Sequence, residues 1–255
     1  MIYLKSKEEI EKIKRASKVV VEVLDRLQEE TRPGISTLDL DMIAEEITLK
    51  RGATPAFKGY RGFPASVCFA INEEVVHGIP SKKKIVKEGD ILSLDFGVYL
   101  DGFYGDSAIT VAVGQISDLA FSLVQVTKDS LYEGIKMARP SNRLFDISHA
   151  IQSSVEKEGF SVVRAFVGHG IGRKLHEDPQ VPNFVPENGH WGKGIRLKPG
   201  MVIAIEPMVN VGNPDVKVLS DGWTAVTVDG TLSAHFEHTV AILDDGPIVL
   251  TELRE

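Results

Sequence analysis

Two stretches of this chain read alike. Lys87-Glu88-Gly89-Asp90-Ile91-Leu92-Ser93-Leu94-Asp95 matches Lys198-Pro199-Gly200-Met201-Val202-Ile203-Ala204-Ile205-Glu206: a lysine, a glycine two residues on, an apolar run and a carboxylate. Arg32-Pro33 likewise matches Arg139-Pro140, and His77-Gly78-Ile79 matches His169-Gly170-Ile171. Along the chain the offsets are 107, 92 and 111 residues, so the features keep one order in both halves. One such match is a coincidence of common tripeptides; three in order favour duplication of a folding unit. The 255 residues then form one catalytic domain of two repeated halves, roughly 1–115 and 116–255, with a site where the halves meet.

Each half opens on a helix pair. Ile10, Ile13, Val20, Leu24 and Leu27 recur at helical spacing over residues 7–30, and Arg32-Pro33-Gly34 stops that helix. A second helix is expected after Ser36-Thr37, through Leu40, Ile43 and Ile47 to Gly52, and two more from about Leu119 to Met137 and Leu144 to Glu158. Runs rich in Val, Ile and Phe between them read as strands. A hydrophobic fraction of 43% with 25% charged residues suits a globular chain with a real core. A net charge of −7 argues against a general nucleic-acid binder, and Lys82, Lys83, Lys84 and Lys87 read as a solvated turn. No stretch approaches the about 18 apolar residues of a membrane span, and Met1 to Lys14 lacks the apolar core of a signal peptide. Cys68 is the only cysteine, which excludes an intrachain disulfide and a cysteine-rich zinc module. The cytoplasm is the expected compartment.

The chemistry lies in carboxylates placed on apolar strands. Asp95 sits in Ile91–Val98, where an unpaired charge is costly enough to force pairing, metal binding or protonation. Asp101-Gly102 is the pair favoured in a two-residue hairpin turn, and opposed positions then add to 203. Asp95 faces Ala108 and Asp106 faces Gly97, so the two aspartates become diagonal neighbours on one face. Like charges so close call for a cation between them, and a pair of metal ions meets that need. Glu206, the counterpart of Asp95, ends a second apolar strand; Glu237 begins a third. His169 stands between Gly168 and Gly170, whose bare backbone permits close approach. His149, His190, His235 and His238 read as structural or incidental.

Together these residues resemble bacterial type I methionine aminopeptidases. The motifs are Asn72-Glu73-x-Val75-Val76-His77-Gly78-Ile79-Pro80, Asp95-Phe96-Gly97, Asp101-Gly102-x-x-Gly105-Asp106, Gly168-His169-Gly170-Ile171-Gly172, His176-Glu177-x-Pro179, Ile205-Glu206-Pro207-Met208 and Glu237-His238-Thr239, spread over effectively the whole chain. The resemblance implies the mixed α/β pita-bread fold, a curved antiparallel sheet backed by helices with an internal pseudo-twofold repeat. It implies two divalent ions held by Asp95, Asp106, His169, Glu206 and Glu237, with Asp106 and Glu237 bridging. Four carboxylates and one imidazole suit Mn(II), Fe(II) or Co(II) better than a structural zinc.

By the same resemblance, a hydroxide bridging the metals attacks the first carbonyl of a substrate. Glu206 relays its proton to the leaving nitrogen, His176 stabilises the oxyanion, and His77 hydrogen-bonds the departing amide. Tyr60, Phe63, Cys68, Leu175 and Trp223 line the methionine pocket, although from spacing alone the aromatics read equally as core. Leu175 departs from the aromatic residue common in relatives. The resemblance further implies a small second substrate residue, a monovalent cation near Asn72 and Ser233, and a monomer acting near the ribosome on the N-termini of peptides and nascent proteins. Prolidases and aminopeptidases P share the fold but carry an extra N-terminal domain, whereas only a helix pair precedes the first motif here. Non-catalytic relatives lose ligands, and a phosphatase or nuclease reading lacks a phosphate-cradling loop.

Overall fold

A computed structural model of the chain describes residues 1–185 and 194–252; His190 lies outside them. Four helices carry most of the periodic sequence: α1 (Lys7–Glu30), α2 (Thr37–Lys50), α3 (Asp118–Met137) and α4 (Leu144–Lys157). Their ends follow local chemistry. Ser6 accepts from the Glu9 amide and the Glu9 side chain answers the Ser6 amide, a capping box that starts α1. Ser36 and Ser117 cap α2 and α3 in the same one-sided manner.

The strands run β1 (Thr54–Pro55), β2 (Cys68–Ile71), β3 (Glu74–Val76), β4 (Ile91–Leu100), β5 (Phe103–Ala112), β6 (Ser161–Val162), β7 (Gly168–Gly170), β8 (Glu177–Val181), β9 (Val202–Ile205), β10 (Met208–Asn210), β11 (Val216–Val218), β12 (Ala225–Thr227), β13 (Ser233–His235), β14 (Glu237–Leu243) and β15 (Gly246–Val249). The main sheet has the order β1-β4-β5-β14-β9-β7-β8, with β2 also on β4 and β15 also on β14. Two three-stranded sheets, β13-β10-β6 and β11-β12-β3, flank it.

This order displays the repeat directly. Reading outward from the β5·β14 seam, β4 then β2 on one side answer β9 then β7 on the other, and each half adds a helix pair. Gly89 and Gly200, the matched glycines before β4 and β9, have φ of 89° and 87°, a left-handed turn that glycine adopts without strain. One sequence match does not survive. β7, which carries His169, is the counterpart of β2, whereas His77 follows β3 in a separate sheet. The two His-Gly-Ile triplets are therefore not equivalent; strand pairing fixes the alignment where three residues could not.

Alternation divides the main sheet into two unlike faces. Leu92, Leu94, Phe96 and Val98 of β4, Ile109 and Val111 of β5, Ile203 and Ile205 of β9, and Val240 and Ile242 of β14 share one core. Val20, Leu24 and Leu27 of α1, Leu40 of α2, Leu131 and Ile135 of α3, and Ile147 and Ile151 of α4 complete it, so one apolar layer runs across both halves. Each such side chain contributes roughly 1.5–3 kcal/mol over leaving it in water. Residues between them in sequence point the other way: Ser93, Asp95 and Gly97, Asp106 and Ala108, Ala204, then Glu237 and Thr239.

The β4–β5 hairpin has the expected register, with Asp95 opposite Ala108, Gly97 opposite Asp106 and Leu100 opposite Phe103. Asp101 and Gly102 both have positive φ, 51° and 85°, the mirror-image turn that matches strand twist. Lys82 and Lys83 lie in a turn, and Lys84 pairs with Glu74 at 2.7 Å.

A Cβ at Gly102 meets nothing within 4 Å, so Gly102→Ala should cost about 1 kcal/mol through φ alone. At Gly200 the added carbon also comes within 2.9 Å of the Lys5 carbonyl oxygen, so Gly200→Ala should cost clearly more in urea titrations. Equal costs would contradict the packing of residues 4–5 against this turn.

Candidate metal centre

The acids meet because strand register brings them together. Asp95 stands opposite Ala108, and Ala108 stands opposite Glu237 across the seam, so these three form one row over β4, β5 and β14. Glu206 directly follows Ile205, which pairs with His238 next to Glu237. The adjacent row holds Gly97 opposite Asp106, and Ala204 opposite both Thr239 and His169. Thr239 stitches the seam: its hydroxyl donates to the Asp106 carbonyl at 2.7 Å and accepts from the Asp106 amide at 3.1 Å. Small residues, Gly97, Ala108, Ala204 and Thr239, alternate with the acids. Larger side chains there would fill the space between the carboxylates.

His169 enters over a bare backbone. A Cβ on Gly168 would lie 2.3 Å from the Ala204 carbonyl oxygen, and one on Gly170 would lie 2.2 Å from that of Asp178. Both flanking positions therefore require glycine, as the sequence suggested. His169 Nδ1 is 2.9 Å from the Gly170 carbonyl. A carbonyl only accepts, so Nδ1 carries the proton and Nε2 presents a lone pair. That Nε2 lies 3.5 Å from Glu206 Oε1 and 4.0 Å from Asp106 Oδ2. Ligand atoms of Asp106, His169 and Glu237 all fall within 4.8 Å of one another.

Burial pushes the Asp95 carboxyl up to about 7. Burial first, and then the other carboxylates, hold Asp106, Glu206 and Glu237 well above their ordinary range. Burial also lowers His169 to about 4, leaving a neutral imidazole. Asp106 Oδ1 and Glu237 Oε1 are buried without a hydrogen-bond partner. Among the described residues, no lysine or arginine forms an ion pair with any of these four acids. Orphaned oxygens, an aimed imidazole lone pair and uncompensated negative charge fit a divalent cation. The oxygen-rich donor set fits a hard or borderline one.

Beside the acids opens a cavity of about 170 Å³. Asp95, Asp106, His169, Glu206 and Glu237 share its lining with His77, His176, Tyr60, Phe63, Cys68, Leu175 and Trp223, so every site residue singled out in the sequence meets here. Phe57 and Arg61 line it too and were missed. Arg61 has a left-handed φ of 51° in the turn after Tyr60, a conformation that no sequence pattern announces. The Phe63 and Trp223 rings meet edge-to-face at 5.2 Å, and the Cys68 thiol, opposite Asp95, is held neutral by burial and by that acid. His176 Nδ1 is 2.8 Å from the Tyr60 hydroxyl, and its ring centroid is 4.3 Å from that of His169. Burial, then neighbouring His169, lowers His176 to about 3, and burial lowers His77. His77 stands edge-on to Phe166 at 5.3 Å and Trp223 at 6.4 Å.

Ser233 donates its amide to the Asn72 carbonyl at 2.8 Å, so that pair is adjacent. His238 bonds Tyr132 and Thr251, His235 is buried on β13, and His149 is exposed on α4. A wider cleft of about 1420 Å³ between α1, α2 and residues 249–252 is lined by charges such as Lys50–Glu46 and Arg51–Glu22 that already pair with each other. Among the described residues it brings together no group of acids and histidines placed to hold a metal.

The chain belongs to the metallopeptidase family M24, whose model matches residues 11–244. Over 254 residues it is 55% identical to a methionine aminopeptidase of Clostridium perfringens, covering 100% of both sequences. The solved methionine aminopeptidase of Thermotoga maritima aligns with a TM-score of 0.95 at 49% identity, over 99% of this chain and 100% of that one. A prolidase from Pyrococcus furiosus shares the fold at a TM-score of 0.80 and 22% identity, with this chain covering 66% of it. The curved sheet and its helices are thus the pita-bread fold.

The buried acids predict a pH dependence. As pH rises above 6.5 the buried histidines, lowered in the folded state, lose their remaining protons in the unfolded chain too, so their opposing contribution fades and the carboxylates govern. Unfolded acids are then ionised, whereas burial holds the Asp95 proton up to about 7 and keeps Asp106, Glu206 and Glu237 well above their ordinary range. The folded state binds more protons, so stability of the metal-stripped protein should fall as pH rises from 6.5 to 8.5. Thermal melts should lose several degrees over that window, at about 2–4 °C per kcal/mol for a chain of this size. Added Mn(II) should flatten the slope; a flat slope without metal would mean the acids are already compensated.

Proposed function

We propose that this chain removes the N-terminal methionine from peptides and nascent proteins whose second residue is small, by metal-dependent hydrolysis. The observation that carries this reading is the row of buried, uncompensated acids with His169, opening into a small apolar slot. Asp95, Asp106, His169, Glu206 and Glu237 would hold two divalent ions, whose combined charge the four carboxylates balance. Mn(II), Fe(II) and Co(II) suit these donors. When bound, such ions supply Lewis acidity to a carbonyl and ease deprotonation of a water.

The chain's own residues do the rest. Glu206, 3.5 Å from His169 and with no lysine or arginine paired to it among the described residues, takes a proton from the attacking water and returns it to the leaving nitrogen. In the tautomer whose Nδ1 accepts from the Tyr60 hydroxyl 2.8 Å away, the His176 Nε2–H is the donor available to a developing oxyanion. His77, at the cavity wall, hydrogen-bonds the departing amide. Tyr60, Phe63, Cys68, Leu175 and Trp223 enclose the methionine thioether, a polarisable chain that suits an aromatic slot. A monovalent cation beside Asn72 and Ser233 completes the proposed ion set.

Residues 1–255 act as one catalytic unit of two halves in this reading, supported by the sheet and core that cross both. We further propose a cytoplasmic monomer working close to the ribosome. Among the described residues no helix is long and apolar enough to cross a membrane. A proline-specific activity is disfavoured, because the likeness to prolidase bears on the fold alone, and all five candidate ligands argue against a purely binding role.

Release of free methionine from Met-Ala-Ser, lost with chelator and restored by metal, tests the activity; preferential cleavage of Xaa-Pro-Ala would overturn it. Glu206→Gln should lower kcat by at least about 10²-fold while the fold and most metal binding persist. Near-normal turnover in that variant would remove Glu206 from proton transfer.

A further inference from the structure

The loop that carries His176 is tied down from the far end of the chain. Lys5 Nζ lies 2.6 Å from Glu177 Oε2, and the two side chains are only 5% and 7% exposed. The other oxygen, Glu177 Oε1, accepts the Lys174 amide at 3.1 Å, closing the loop on itself. Leu175 and His176, the two residues inside that closure, both line the cavity.

The surroundings are shaped for this contact. The Lys5 amide donates to the Gly200 carbonyl at 2.7 Å, which fixes where the lysine leaves the backbone. A Cβ on Gly172 would lie 2.5 Å from Lys5 Cε, so the lysine stem crosses the loop where there is no side chain. The loop's near end is held independently, by Tyr104 donating to the Gly172 carbonyl at 2.8 Å and Ile171 donating to that of Val202 at 3.1 Å. At the far end the Glu177 backbone pairs with Gly170 and the exposed Met1 ammonium meets Asp178, and Lys5 adds the one buried ion pair among the described residues of that end. An exposed pair, Arg173–Glu9 at 2.9 Å, adds only a solvated contact.

We infer that Lys5 is a positioning residue for the reaction: its buried pairing with Glu177 fixes the His176 imidazole against the acid cluster. The inference rests on the oxyanion role proposed for His176. Without the ammonium, the Glu177 carboxylate is left buried and unpaired, and it relieves that cost by swinging toward water. Residues 174–178 move with it, and the His176 donor leaves its place.

Lys5→Met keeps the length of the stem and removes its charge. In metal-loaded protein, kcat on Met-Ala-Ser should fall about 10- to 100-fold with KM nearly unchanged, as expected for a donor displaced by about an ångström. In metal-free protein, amide exchange of residues 173–178 should accelerate while that of β4 and β5 stays the same. Lys5→Met with Glu177→Gln leaves no unpaired charge and keeps an acceptor for Lys174, so it should recover most of the lost kcat and loop protection. A lower melting temperature with kcat within about twofold of the parent, or unchanged exchange in the loop, would overturn the inference and leave Lys5 as a stabilising residue only. His176→Ala is measured alongside. Normal turnover in that variant would sink the oxyanion role by itself, and the hold of Lys5 on the loop is then decided by exchange alone.

Discussion

Four carboxylates buried on one face of a sheet repel one another, and much of the surrounding structure manages that repulsion. Asp95, Asp106, Glu206 and Glu237 are each raised chiefly by loss of water and then, for all but Asp95, by one another. Nothing in their own strands relieves the charge. The opposite face of the same strands carries Leu94, Phe96, Ile203 and Val240 in the main core, so the acids cannot turn inward, and the seam keeps them from moving apart. The fold therefore concentrates carboxylates where only protons or an external cation can relieve their repulsion, which is what a metallopeptidase requires of its scaffold.

The same constraint explains which small residues matter. Ala108 and Ala204 sit where the rows of acids cross neighbouring strands, and Thr239 uses its hydroxyl to bind the Asp106 backbone rather than the cavity. The helices and the large aliphatics supply stability across both halves. The polar face supplies room and charge. A chain can be strongly apolar along β4 and still present a working acid because alternation sends successive residues to opposite sides.

Much of this was legible beforehand. Helical spacing marked α1 to α4, with stop signals after the first two, and Asp101-Gly102 fixed the register that sets Asp95 beside Asp106. Burial of charge in an apolar strand pointed to a cation before any family likeness was invoked. The rest was hidden for physical reasons. The strands β6, β10, β11, β12 and β13 span two or three residues each, too short to show a period, and their pairing depends on partners distant in sequence. The two His-Gly-Ile triplets misled because three residues carry no topological information. Phe57 and Arg61 entered the cavity through turn geometry near Gly59 and Tyr60, which leaves no regular mark.

The seam between β5 and β14 has a consequence for the chain as a whole. Separated, the halves would leave unpaired the short stretch where β5 and β14 meet, at Ser107–Ala108 and Glu237–His238, beyond the part of β14 that β15 covers, and unpaired strand backbone invites pairing with other chains. The two copies of the unit are thus not interchangeable modules that could be traded or trimmed. Each is the other's edge protection, so solubility and chemistry are secured by a single junction.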